Sequence, residues 1–466
     1  MSRISSTSRR HFLAGTGLVT AGVLGLGACA DTPSSGPHTV RFWGQGAADK
    51  DKDEAVRDAF KKTDAGKDAE IYIDQVPSNG VSDMSQIITA VRGGTAPDLW
   101  FMDRFNAVQN ASIDLLEPID PLIEKYEDVS PEEFKKQWLQ FAMDELTYDD
   151  KLYGLPATTD ARAIEYNEDL LRDNGIDLDL FDPDQHVLTW DEIADVAEKL
   201  TKEDKKGNYK SLGFAPWKDE AWAYTWAGAF GAEGYDNKTS QITLDTPEWK
   251  SVFEVYADWA EKYPYGSVDA FYATYQPPNA PPSQTARFSG RLGMSVAVTS
   301  NIQANLKYAK DIPLKHTWLP VVKDGDTPYT WSGGHSIVVP RGANMTKTLW
   351  EFMKFYAGLP GQSIIIPQVG VLPTNMEALE KKKYNHDHEI EVYKSMLEYS
   401  TCRPPLPVGS AMWDALARTR DSVSLGSTTP AAAITSNQDY VEPKMDLFPG
   451  YKMPDTYGEP IEVPGT

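Results

Sequence analysis

The residues of this chain best suited to handling a small molecule are its 13 tryptophans and a few charges set among them. An indole offers a broad apolar plate with little conformational entropy to lose, and ionised acceptors form the stronger hydrogen bonds. Trp43, Trp217, Trp222, Trp226, Trp331 and Trp413 must be divided between core and binding surface, and the pair Asp103-Arg104 stands just past a predicted strand. Trp331-Ser332-Gly333-Gly334 adds glycines that let backbone N–H groups approach a ligand closely, or that only shape a turn. The patterns of covalent and metal chemistry are missing. None of the 7 histidines falls in a His-Glu-x-x-His spacing, and no triad or nucleophile elbow is found. No cofactor and no metal are therefore expected.

The elements that must position these residues alternate along the N-terminal half. A β-type run, Thr39-Val40-Arg41-Phe42-Trp43, precedes a helix through Ala55 and Phe60, and Ile71-Tyr72-Ile73 follows. A second helix carries Ile87, Ile88 and Val91, stops at Gly93-Gly94, and leads to a strand from Asp98 to Met102. This β-α-β-α-β order predicts a doubly wound, mostly parallel sheet in an α/β fold. Such sheets bind ligands beyond the carboxyl ends of their strands, which here are Trp43-Gly44-Gln45 and Asp103-Arg104. Ser130-Pro131-Glu132-Glu133 and Thr189-Trp190-Asp191-Glu192 both read as capping boxes, and Trp190 begins an apolar helical face expected in the core.

The N-terminus reads as an address. Arg9-Arg10 precedes an apolar, Gly-rich stretch from Phe12 to Ala28, and Leu26-Gly27-Ala28-Cys29 has the form of a lipobox. Residues 1–28 are thus expected to be a twin-arginine-type signal peptide, Cys29 the lipidation site, and 29–37 a flexible Ser/Pro/Gly tether. With Cys29 acylated, Cys402 has no partner and no disulfide forms. The formal charge is -23, and removing Arg3, Arg9 and Arg10 takes it to -26 (-23 minus 3), which excludes nucleic acid as a partner. The 438 residues that remain (466 minus 28) exceed what one core covers, so two lobes are expected.

Several stretches, in order and spacing, resemble the bacterial extracellular solute-binding proteins that feed sugar ABC transporters, the family of maltose-binding protein. They are Gly93-Gly94-Thr95-Ala96-Pro97-Asp98-Leu99, Leu152-Tyr153-Gly154-Leu155-Pro156 leading to Tyr166-Asn167-Glu168-Asp169-Leu170, Arg287-Phe288-Ser289-Gly290-Arg291-Leu292-Gly293-Met294, and Gly370-Val371-Leu372-Pro373. The resemblance implies a two-lobed type II periplasmic-binding-protein fold, each lobe a doubly wound sheet. Hinge strands would run through Pro156 to Arg162, near Trp318 to Pro320, and near Gly370 to Pro373. Residues 38–156 plus 321–370 then form one lobe, and 157–320 plus 371–466 the other.

What the resemblance implies for the site is carried over residue by residue. Asp103-Arg104-Phe105 matches an Asp-Arg-Phe of the maltose-binding branch whose Asp and Arg bind sugar hydroxyls. Asp160 matches a ligand-binding carboxylate on the first hinge strand; pairing with Arg162 is the alternative, since a buried carboxylate needs a partner. Trp413 matches a stacking Trp of the second lobe. Where that branch has a further Trp, this chain reads Val298-Thr299-Ser300-Asn301, so Ser300 and Asn301 would offer hydrogen bonds instead. Trp43, Trp222, Trp331 and Gly333 complete the candidate set, with Trp226 expected to pack inward. The implied function is capture of a carbohydrate by a monomeric, membrane-anchored binding protein and its delivery to ABC permease subunits. The alternatives are a binding protein for a glycerol phosphodiester or polyamine, and an exported glycoside hydrolase.

Overall fold

The computed structural model describes residues 36–46, 49–76, 85–381 and 388–464; the expected signal segment and Cys29 lie outside them. Three strands open the chain: β1 (Thr39–Gln45), β2 (Glu70–Val76) and β3 (Leu99–Asp103), with helices α1 (Lys50–Phe60) and α2 (Ser85–Arg92) between them. β1 forms because alternate residues Val40 and Phe42 drive one face into the core. α2 ends at Gly93-Gly94, where Gly94 takes a φ of 67°. The later sheet strands are β4 (Gly154–Pro156), β5 (Arg162–Asn167), β6 (Met294–Val298), β7 (Leu314–Thr317), β8 (Thr330–Ser332), β9 (His335–Val338) and β10 (Ser400–Cys402).

The first sheet has the order β2-β1-β3-β9-β4. β1 pairs in parallel with β2 and β3, while β9 runs antiparallel to β3 and β4. Its core joins Phe42, Phe60 and Phe101 to Trp350, Phe352 and Tyr356 of the helix Lys347–Ala357. The second sheet, β6-β5-β7, is less parallel than the doubly wound form expected for it: both of its ladders are antiparallel, and parallel pairing is confined to bridges such as Leu212–Leu292 beside β6. The long helical excursion between β5 and β6 returns the chain beside the strand it left. The core of this half gathers Trp226, Trp249, Phe253 and Tyr256.

The chain passes from the first sheet to the second between Pro156 and Arg162, and the Thr159–Leu372 bridge marks another passage beside it. The remaining passage falls at Ser332–His335, later than the expected Trp318–Pro320. Val321 holds the intervening loop on the second half by bonding Leu188 O through its N–H (2.9 Å) and accepting from Trp190 N (3.0 Å). A third apolar cluster, with Leu139, Phe141, Ala161, Trp318, Leu372 and Tyr393, draws on both halves.

Thr189 and Glu192 form the reciprocal capping box expected of them; Ser130 accepts from Glu133 N (3.2 Å) without the return bond, because Glu133 turns to Lys136. Beyond the helix Pro430–Met445, the C-terminal segment is a strap across both halves. Tyr451 stacks on Tyr148 (5.7 Å between ring centroids) and its carbonyl accepts from Tyr235 Oη (2.7 Å), and Thr456 Oγ1 donates to Asp144 (2.6 Å).

Candidate functional site

Asp103 ends β3 and caps the 3-10 turn Arg104–Asn106. Its Oδ1 accepts from Phe105 N (3.0 Å) and from Arg403 Nη2 (2.7 Å), and among the described residues no hydrogen bond takes Oδ2. Asp160, on the passage between the sheets, repeats the pattern. Its Oδ1 accepts from Gly333 N (2.6 Å) and Arg162 Nη1, again with Oδ2 open. The two side chains retain 22% and 18% of their exposure, so each presents one oxygen outward from a fixed carboxylate. Burial works to raise the Asp103 pKa, but the Arg403 charge, followed by His335, outweighs it and holds the carboxyl below its usual range.

Beside them lies an aromatic wall. The Trp413 ring is 5.1 Å from Trp222, 6.0 Å from Phe105 and 6.2 Å from Trp331, edge-on to the last. Trp222 and Trp413 are half-buried; Arg420 lies 4.6 Å over the Trp222 ring, whose Nε1 donates to Glu220 (3.3 Å), so Trp413 keeps the more open face. Trp331 is 3% exposed: Arg162 lies 3.4 Å over its ring, and its Nε1 donates to Thr225 Oγ1 (3.2 Å). It is an internal plate, not a free one. Trp226 is fully buried and Trp190 packs edge-on against it at 4.8 Å.

The structure places other candidates differently from the reading of the sequence. Arg104 is wholly buried, its Nε on Glu145 (2.5 Å) and its two Nη atoms on the carbonyls of Thr158 and Gly333 (2.8 Å each). It clamps the inter-sheet passages together and has no outward face for a hydroxyl. The Gly333 N–H is committed to Asp160 and is not open to a ligand. Next to it Gly334 adopts φ 136°, with room for no Cβ: one added there would meet Thr158 O at 2.2 Å. Trp43 is half-buried on β1, in register with Trp100 and Asp74, and makes no ring contact with the Trp222–Trp413 wall. Asn301 turns its Oδ1 to Val298 N (3.2 Å), and the half-buried Ser300 precedes the helix Asn301–Tyr308, at the end of β6 nearest Arg162.

Arg403 is the residue that sequence reasoning missed. A lone arginine in Cys402-Arg403-Pro404-Pro405-Leu406-Pro407 is the available signal: a base in so apolar a run must find a buried acid. Three arginines (104, 162 and 403) thus face three carboxylates (Asp103, Glu145 and Asp160), and the charges of the site balance. Among the described residues no group of His, Cys, Asp and Glu could hold a metal ion, and no helix is long and apolar enough to cross a membrane.

Residues 55–392 match the bacterial extracellular solute-binding protein family, and the chain belongs to that family. A maltotriose-binding protein of Pyrococcus abyssi is 25% identical over 358 residues, covering 74% of this chain and 69% of that protein. Among solved structures, CpMnBP1 with mannotriose bound matches with a TM-score of 0.73 at 19% identity, over 87% of this chain and 100% of that one. The GacH receptor of Streptomyces glaucescens, solved unliganded and with acarbose, matches at 0.66 and 19%, over 86% and 96%. The fold is therefore the two-lobed α/β type II architecture, and the relatives are solute-binding proteins, not enzymes.

Proposed function

We propose that this chain captures a neutral mono- or oligosaccharide between two lobes, 38–156 with 335–370 and 162–332 with 371–464, and delivers it to the permease of an ABC importer. The observation that carries the reading is the pairing of an open indole, Trp413, backed by Trp222, with two fixed carboxylates that each offer a free oxygen. Indole faces suit the C–H faces of a pyranose, and carboxylate oxygens suit its hydroxyl edges. The names of the relatives, which include maltotriose, mannotriose and acarbose binders, support the same class. Closure of two lobes about connecting strands is the general behaviour of periplasmic binding proteins.

The balanced charges argue against a polyamine, which needs excess carboxylate, and against a phosphodiester, which needs excess base. A hydrolase needs an accessible carboxyl kept protonated as general acid, whereas Asp103 is held below its usual range and Glu145, raised by burial, is wholly enclosed on Arg104. Export behind Arg9-Arg10, acylation of Cys29 and residence on the outer face of the cell membrane belong to the same proposal.

Tryptophan emission and melting temperature, followed while maltotriose, mannotriose, spermidine and glycerophosphocholine are titrated in turn, test it. Binding to the native state alone stabilises by about 2.7 kcal/mol at a hundredfold excess over Kd. Shifts with a saccharide, recovered chemically unchanged, are expected; shifts with spermidine or the phosphodiester alone would sink the reading.

A further inference from the structure

Arg403 leaves β10 just ahead of Pro404-Pro405, whose rings fix their own φ angles and narrow the backbone freedom of the residue before them. Its side chain is 4% exposed. The guanidinium lies 4.3 Å over the Phe105 ring and 5.4 and 5.6 Å from the rings of Trp331 and Trp413, the indole of the wall that stays open. One Nη holds Asp103 Oδ1; Nε stands 3.7 Å from Glu145 Oε1, and neither of those two atoms has a hydrogen-bond partner. Arg104 also reaches Glu145, through Oε2, but its remaining bonds go to backbone carbonyls.

We infer that Arg403 is a positioning residue for ligand recognition: by gripping Asp103 through Oδ1, together with the Phe105 N–H, it turns Oδ2 toward the cleft as a ready acceptor. A carboxylate fixed before the ligand arrives loses little rotamer freedom on binding, so more of its hydrogen-bond energy appears as affinity. The inference rests on the proposed carbohydrate reading only where affinity is measured.

The charged and titratable groups around Asp103 are Arg403, His335, Arg104, Glu145 and Asp160. Burial holds the His335 pKa below the ordinary histidine value. Glu145 is raised, burial outweighing Arg104 and Arg403. Arg403 is the largest favourable influence on ionised Asp103. Without it the Asp103 carboxyl must titrate at higher pH, and its acceptor strength must fade as the solution is acidified.

The test uses the full mature chain with Arg403→Met, which keeps an unbranched side chain without charge, and Arg403→Gln, which keeps a donor for Asp103. Arg403→Lys serves as the conservative rescue. The Asp103 carboxyl resonance is titrated by 13C NMR, and maltotriose affinity is measured from pH 7.5 to 5. The Asp103 midpoint is expected to rise in both neutral variants. Their maltotriose affinity should fall about tenfold at pH 7.5, the worth of one charge-assisted hydrogen bond, and further toward pH 5, with Lys restoring most of both. An unmoved midpoint overturns the inference. So does an affinity loss independent of pH that follows a lowered melting temperature in all three variants. If the wild type binds neither maltotriose nor mannotriose, the carbohydrate reading fails while the NMR midpoint still decides on Arg403.

Discussion

Trp331 and Trp413, 6.2 Å apart, differ in what their faces meet. Trp413 keeps open surface, so Trp413→Ala should weaken oligosaccharide binding by about 2 kcal/mol, roughly thirtyfold, with little change in unliganded melting temperature. Trp331→Ala should instead remove about 3–5 kcal/mol of stability, because it empties a closed space under Arg162. Denaturant titration beside a binding isotherm separates the two outcomes. Asp144 provides a second prediction at this scale. Burial pushes its pKa up from 3.8 to about 6, against the bonds from Thr456 and Gln140 and the charge of Lys135. A raised carboxyl stabilises the fold fully below the unfolded value and loses that contribution as pH rises through about 6. Asp144→Asn should therefore stabilise at pH 7.5, by up to ~3 kcal/mol, and flatten the dependence of melting temperature between pH 4 and 7. A lower melting temperature for Asn at pH 7.5 would show that the carboxylate is worth more than its burial penalty. The sequence displayed Asp103, Asp160 and the tryptophans as residue types. It could not display the burial of Arg104, whose three acceptors come from residues 41, 54 and 229 positions away.

Elements were easier to read where the signal is local. The Thr189 capping box and the Gly93-Gly94 stop need only a few residues, and both are formed. The passage ahead of β9 was not legible: it lies at Ser332–His335 rather than at Trp318–Pro320, because Val321 is held by Leu188 and Trp190, far off in sequence. The antiparallel second sheet escaped for the same reason: strand direction there follows from where a helical excursion of more than a hundred residues returns. Gly334 is the element-scale prediction. Its φ of 136° and the 2.2 Å approach to Thr158 O leave no room for a methyl group, so Gly334→Ala should cost about 2 kcal/mol or more. Thermal melts would register this as a loss of several degrees, and a melt unchanged from wild type would mean that the passage can shift to admit the methyl.

At the scale of the whole molecule, the proposed anchor and the cleft are separable. Cys29→Ser should release the protein from the membrane fraction and leave the saccharide affinity of the purified chain unchanged; equal retention of the variant would place the attachment elsewhere. The order β2-β1-β3-β9-β4 has a further consequence, in time. β9, residues 335–338, is inserted between β3, which ends at 103, and β4, which ends at 156. During synthesis at about 5–20 residues per second, β3 and β4 must wait on the order of ten seconds or longer before the strand that separates them exists. Throughout that interval both keep an unpaired edge, the form of chain most prone to pair with the wrong neighbour. A truncated chain ending at Thr330 should therefore aggregate or remain protease-sensitive, while the complete chain refolds slowly, as expected where pairing is this non-local. A soluble, protease-resistant product from that truncation would mean that the first sheet can close without β9.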